Sequence, residues 1–281
     1  MPLLLYTFVV GPLTSYFIAG NWHARPPRSF LEEWWRHLLN GEMFSGSGPL
    51  WFCLVLLLFS LCYALLPRAD AATPQRSVPG LLAMLGFAVT MATLTFLVGL
   101  VAPNGGTVLN VDIHDFPQYP LMFAAGIAAR RHGWLLRISS RAGRGYLAAG
   151  LLGGGVAWYL LINQGGALQG QLRDYGGGWH WQTAGMDLWR SSTCVCLALG
   201  LITLYRDRCN SQGPVSRFLT RNAFGVYVFH APILIAATRI LQLWPVDVWV
   251  KFCAASVIAI IVSFLFVGLV ARRTPGLRAI V

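Results

Sequence analysis

Long apolar runs separated by short polar loops give this chain its basic rhythm. The runs cover residues 2–20, 49–67, 79–102, 117–130, 145–163, 184–205, 219–240 and 247–271, and they are apolar on all sides. A buried helix of a soluble domain would keep a polar face at a 3.6-residue period. About 20 apolar residues in a helix cross a ~30 Å hydrocarbon core. The pattern therefore predicts an all-α, polytopic transmembrane helix bundle of about eight spans. The fourth run is the shortest and ends in Arg130 and Arg131. The fifth carries "GLLGGGVAW", glycine-rich as close helix–helix contacts in membranes tend to be.

One stretch between the first two runs has a different period. In "RSFLEEWWRHLLNGEMF", Ser29 followed by Glu32 makes a capping box. Phe30, Leu31, Trp34, Trp35, Leu38 and Leu39 then recur at helical spacing. This predicts a short amphipathic helix over 29–40, lying in the interface with its tryptophans at headgroup depth. Otherwise residues 1–281 read as a single membrane domain.

Loop charges fix the orientation. With the N-terminus inside, the inward loops and tail hold Arg68, Arg76, Arg130, Arg131, Arg137, Arg141, Arg144, Arg206, Arg208, Arg217, Arg221, Arg272, Arg273 and Arg278. The outward segments hold only Arg25, Arg28, Arg36, Arg173, Arg239 and Lys251. This asymmetry predicts an N-in, C-in topology. It also accounts for the net charge of +11, which is spread among loops rather than gathered into a nucleic-acid-binding surface. Composition agrees: 11% of residues are charged, against roughly 25% in soluble domains, and the mean hydropathy is +0.59. The first twenty residues lack a basic n-region and a cleavage site, so they read as a membrane helix and not a signal peptide. Most of the six cysteines fall in apolar runs, where they act as small hydrophobes. Cys194 and Cys196 have no second pair or carboxylate nearby in sequence, so no metal site is expected.

Polar residues inside apolar spans mark functional paths by default. Asp187 and Arg190 stand three apart on one helical face, as a local ion pair near the outer surface or as part of a substrate path. Asp112, His114 and Asp115 precede a proline-broken entry to the fourth run, either as an acid/base element or as a solvated loop. His230 lies about 20 Å along its helix from the basic end. Tyr227 is one turn before it and Pro232 two residues after it. The histidine either ties neighbouring helices together or lines a hydrated cavity.

Three stretches in order, "GPLWFCLVLLLFSLCYALL", "FPQYPLMFAAGIAARRHGWL" and "NAFGVYVFHAPIL", resemble the acyltransferase-3 family of bacterial membrane O-acyltransferases. The resemblance runs from about residue 8 to 271. It implies transfer of an acyl group, acetyl or succinyl-like, from cytoplasmic acyl-CoA to a hydroxyl of a cell-surface or periplasmic carbohydrate or glycolipid. Acyl-CoA would be a co-substrate, with no bound cofactor, and the setting would be a bacterial inner membrane. His230 and Tyr227 then look catalytic, with Trp51 and Phe123 as cavity walls. Arg190, Asp187, His114 and Asp115 complete the candidate substrate-binding set. Family members begin with about two further helices, the first bearing an Arg and a His central to catalysis. This sequence opens at "MPLLLY", so the resemblance implies an N-terminally truncated chain, its activity left open, in which His230 is the well-buried base that remains. The rival expectation is a non-enzymatic transporter or assembly component; the absence of an internal inverted repeat speaks against a transporter.

Overall fold

The computed structural model describes residues 2–18, 29–39, 48–66, 76–103, 106–108 and 110–278. Arg25, Arg28 and Arg68, and the side chains of Arg36 and Leu38, lie outside the described set. In chain order the helices are α1 (2–18), α2 (Phe30–Leu39), α3 (Gly48–Leu65), α4 (Leu81–Val101), α5 (Gln118–Arg131), α6 (Trp134–Arg137), α7 (Ser140–Gln164), α8 (Trp181–Arg208), α9 (Pro214–Gln242), α10 (Val248–Ala271) and α11 (Pro275–Arg278). A small hairpin of β1 (Thr107–Val108) and β2 (Val111–Asp112) holds the only strands among the described residues. The protein is an all-α polytopic bundle. Six helices, α3, α4 and α7 to α10, are long and apolar enough to cross a membrane; α1 and α5 are shorter.

By its contacts the chain divides into two compact units: residues 1–58, 108–110 and 212–281, and residues 59–107 and 111–211. In the first, Tyr6, Leu50, Val228, Phe229, Val267 and Ala271 form the buried core. The capping box forms as the sequence predicts: the backbone N–H of Glu32 donates to Ser29 Oγ at 3.2 Å, and that of Ser29 donates to Glu32 Oε2 at 2.9 Å. Trp34 turns back to α1, its indole N–H donating to the Phe8 carbonyl at 2.9 Å. Leu31, Trp35 and Leu39 are left as an exposed apolar stripe on α2.

In the second unit α8 packs against α4 and α7, with Ala88, Met91 and Val195 buried between α4 and α8. The α7–α8 contact is close because glycines line it. A Cβ on Gly200 would fall 2.7 Å from the Leu147 backbone, and one on Gly150 would fall 2.8 Å from Leu197 Cδ2. Gly153 and Gly155 of the same glycine-rich run meet nothing within 4 Å. Only the members facing α8 serve the contact.

Helix α5 has 14 residues, or about 21 Å at 1.5 Å per residue. Its flanks complete the distance. Before it, His114 sits against Gly99 near the end of α4 and bonds Asp187 in α8. After it, Arg206 of α8 donates to the carbonyls of Leu135 and Leu136, and Trp134 and Arg137 both donate to the Arg76 carbonyl. From Asp187 to Arg206, α8 rises about 28 Å, close to a ~30 Å hydrocarbon core. The fourth apolar run thus passes from one end of its unit to the arginine-rich end, although its regular helix alone is too short. The left-handed Gly133, at φ +65°, ends that passage after Arg130 and Arg131 in the last turn.

Candidate functional site

Tyr227 and His230 lie one turn apart on α9 in the first unit, with their rings stacked at 6.2 Å between centroids. His230 is half-buried. Its Nδ1 lies 2.9 Å from the Tyr227 carbonyl oxygen. A carbonyl only accepts, so Nδ1 carries the hydrogen, and in the neutral ring the lone pair falls to Nε2. An orienting partner for this imidazole is not evident from sequence; the structure supplies one in the preceding turn of the same helix. The Tyr227 hydroxyl donates to the Pro49 carbonyl, so its hydrogen is already committed. Pro232 sits inside α9, where its missing N–H leaves the Val228 carbonyl without its usual helical donor. Trp51 belongs to this same unit, at the start of α3, edge-on to Phe52.

The other named residues belong to the second unit. Asp187 and Arg190 are not each other's partners, although their spacing predicts a local pair. The loop leading into α5 folds onto α8 and brings closer ones. His114 Nε2 meets Asp187 Oδ2 at 3.2 Å, and Arg190 donates to Asp115 Oδ1 at 2.7 Å. The solvated-loop alternative for His114 also fails, since the residue is only 3% exposed and Asp187 is fully buried. An Asx turn fixes the loop, with the His114 N–H donating to Asp112 Oδ1 at 2.9 Å. Glycine at 99 provides the room: a Cβ there would stand 2.7 Å from His114 Nε2. The hydrogen bond to Asp187 raises the pKa of His114 above its ordinary value. Burial lowers it, the charges of Asp187 and Asp115 raise it further, and Arg190 lowers it. Asp187 Oδ1, Ser191 Oγ and Thr95 Oγ1 are buried without a hydrogen bond among the described residues. Phe123 lies tilted against Phe59 at 5.5 Å between centroids and edge-on to Tyr63, and it makes none of the polar cluster's hydrogen bonds.

Sequence reasoning passed over Thr183 and Ser191. Both are fully buried and stand four residues either side of Asp187. That four-residue polar spacing within an apolar run is the signal that could have found them. It also passed over how Asn222 is used. This residue is 2% exposed; its side-chain amide donates to the Phe218 carbonyl, and its oxygen accepts from Arg272 Nε at 2.8 Å. Among the described residues no group of three or more His, Cys, Asp or Glu is placed to hold a metal ion.

A family model described as an acyltransferase domain, acyltransferase-3, matches residues 1–268. Neither the curated proteins nor the solved structures contain a match to the chain. With a match over nearly the whole described bundle, including the α9 segment that carries Tyr227 and His230, this integral membrane protein belongs to the acyltransferase-3 family and is an acyltransferase.

Proposed function

We propose that the protein transfers an acyl group from acyl-CoA to a hydroxyl of a cell-surface or periplasmic carbohydrate, with His230 as the general base. The observation that carries this reading is the bond from His230 Nδ1 to the Tyr227 carbonyl. It fixes the tautomer in which Nε2 can take a proton. The acceptor hydroxyl loses its proton to Nε2 while its oxygen attacks the thioester carbonyl carbon. The oxyanion then collapses, the C–S bond breaks, and the CoA thiolate recovers the proton from the imidazolium. Atoms and charge balance without a cofactor. General-base assistance of this kind contributes about 10²–10⁴-fold.

Tyr227 supports this chemistry through its backbone and ring. Its hydroxyl hydrogen is spent on Pro49, so the residue positions His230 and does not donate to the oxyanion. The test is incorporation of isotope-labelled acetyl from acetyl-CoA into glycans of membranes from cells expressing the chain. Expression-dependent, alkali-labile label on carbohydrate supports the reading. Acetyl-CoA turnover with no labelled carbohydrate, or no expression-dependent turnover at all, refutes it.

A further inference from the structure

We infer that Arg221, Arg272 and Arg278 form a binding site for an organic phosphate at the arginine-rich end of the first unit. A cavity of about 430 Å³ opens there, lined by these three arginines with Phe218, Asn222 and Gly268. Its size falls in the roughly 300–1,000 Å³ range of small-molecule sites. No carboxylate lines it, and among the described residues none of the three guanidiniums pairs with one.

The central arginine is fixed by neutral groups. Arg272 Nε donates to Asn222 Oδ1, and a terminal nitrogen donates to the Arg221 carbonyl. Asn222 is itself locked by its bond to Phe218. The side chain is thereby held in place while its charge goes unneutralised, and three of its five N–H donors are uncommitted. A planar fork with free donors suits a phosphate, which accepts two parallel hydrogen bonds. Three like charges around one cavity repel one another until an anion enters it. The floor is kept low by Gly268, where a Cβ would press to 3.0 Å on the Phe218 ring.

The site joins the start of α9 to the end of α10, at headgroup level for two membrane-crossing helices. Two sources present the same chemistry there: an anionic phospholipid headgroup, and a soluble phosphate ester such as the 3′-phosphate and pyrophosphate of CoA. The site itself does not depend on the acyl-transfer reading; only the CoA source does.

The test uses the full chain in nanodiscs, with two probes. Coenzyme A is titrated against protein in phosphatidylcholine discs, and retention of phosphatidylglycerol from mixed discs is read by native mass spectrometry. The variants are Arg272→Gln and Arg278→Gln, with Arg273→Gln as an exposed neighbour outside the cavity. Loss of one charge-assisted contact should weaken binding about tenfold or more. Tenfold weaker CoA binding in both cavity variants, with Arg273→Gln unchanged, identifies the soluble ester. The same pattern in phosphatidylglycerol retention identifies the lipid. Should Arg272→Gln fail to fold after losing its bond to Asn222, Arg278→Gln carries the comparison alone, since no hydrogen bond within the chain depends on that side chain among the described residues. Binding of neither probe by the wild type, or equal losses in Arg273→Gln, would overturn the inference. An active acyltransferase giving that result would leave the proposed reaction standing and remove only this site.

Discussion

Replacing Gly99 by alanine tests the polar cluster with one methyl group. The new Cβ would stand 2.7 Å from His114 Nε2, 3.0 Å from Cε1 and 3.1 Å from Cδ2. Ordinary contact begins near 3.4 Å, so the imidazole must yield about 0.7 Å. It has little slack, because its bond to Asp187 is already 3.2 Å long and both groups are buried. Overpacking of this kind costs about 1–3 kcal/mol, and a weakened hydrogen bond to a charged group about 1.5–3 kcal/mol. Alanine's helix propensity returns about 1 kcal/mol. A net loss of about 1.5–5 kcal/mol follows. Gly86 on the same helix is exposed and would meet nothing within 4 Å, so Gly86→Ala should be neutral or gain up to about 1 kcal/mol. Thermal unfolding in detergent, read on both variants, separates the two sites. A His114→Ala background should remove most of the Gly99→Ala penalty, because the clashing ring is gone. If Gly99→Ala melts with Gly86→Ala, or keeps its full penalty without the ring, His114 does not pack against α4 as described.

Two further outcomes follow from the same structure. The folded-state pKa of His114 is raised above 6.5, so its pairing with Asp187 stabilises fully below about pH 6.5 and fades as pH rises through the raised value. Asp187→Asn should flatten this slope in melting temperature measured from pH 6 to 9; parallel wild-type and variant curves would show that Asp187 is not what raises the pKa of His114. Ser263 is buried, and its hydroxyl makes no hydrogen bond among the described residues. Ser263→Ala should therefore be neutral or stabilising by up to about 1 kcal/mol, whereas a loss beyond about 1 kcal/mol in the same melt would reveal a partner for that hydroxyl.

Much of the architecture is legible in the sequence because lipid leaves the chain few options. A run with no polar face must be a helix with its backbone bonds satisfied internally, and Ser29 with Glu32 announces the start of α2. The glycines facing α8 are legible as a class, but nothing in "GLLGGGVAW" says that Gly150 faces α8 while Gly153 does not. The candidate site is harder to read because its partners are distant in sequence. Asp187 and Arg190 at three-residue spacing suggest each other, and only the fold of the 112–117 loop onto α8 sends one to His114 and the other to Asp115. Local spacing records helical faces; it does not record which loop lands on them. His230 shows the opposite case, since the group that orients it is the backbone of Tyr227, which any residue at that position would supply.

In the proposed reaction the Nε2 lone pair of His230 takes the acceptor's proton, while Tyr227 serves without its hydroxyl. Acyl transfer from labelled acetyl-CoA to membrane carbohydrate, at matched protein levels, tests it in wild type, His230→Gln and Tyr227→Phe. The expected result is a fall of about 10²-fold or more for His230→Gln, and a rate within about tenfold of wild type for Tyr227→Phe, whose lost bond to Pro49 costs about 1 kcal/mol of stability. Near-normal transfer by His230→Gln, or equal collapse of both variants in folded protein, would contradict it.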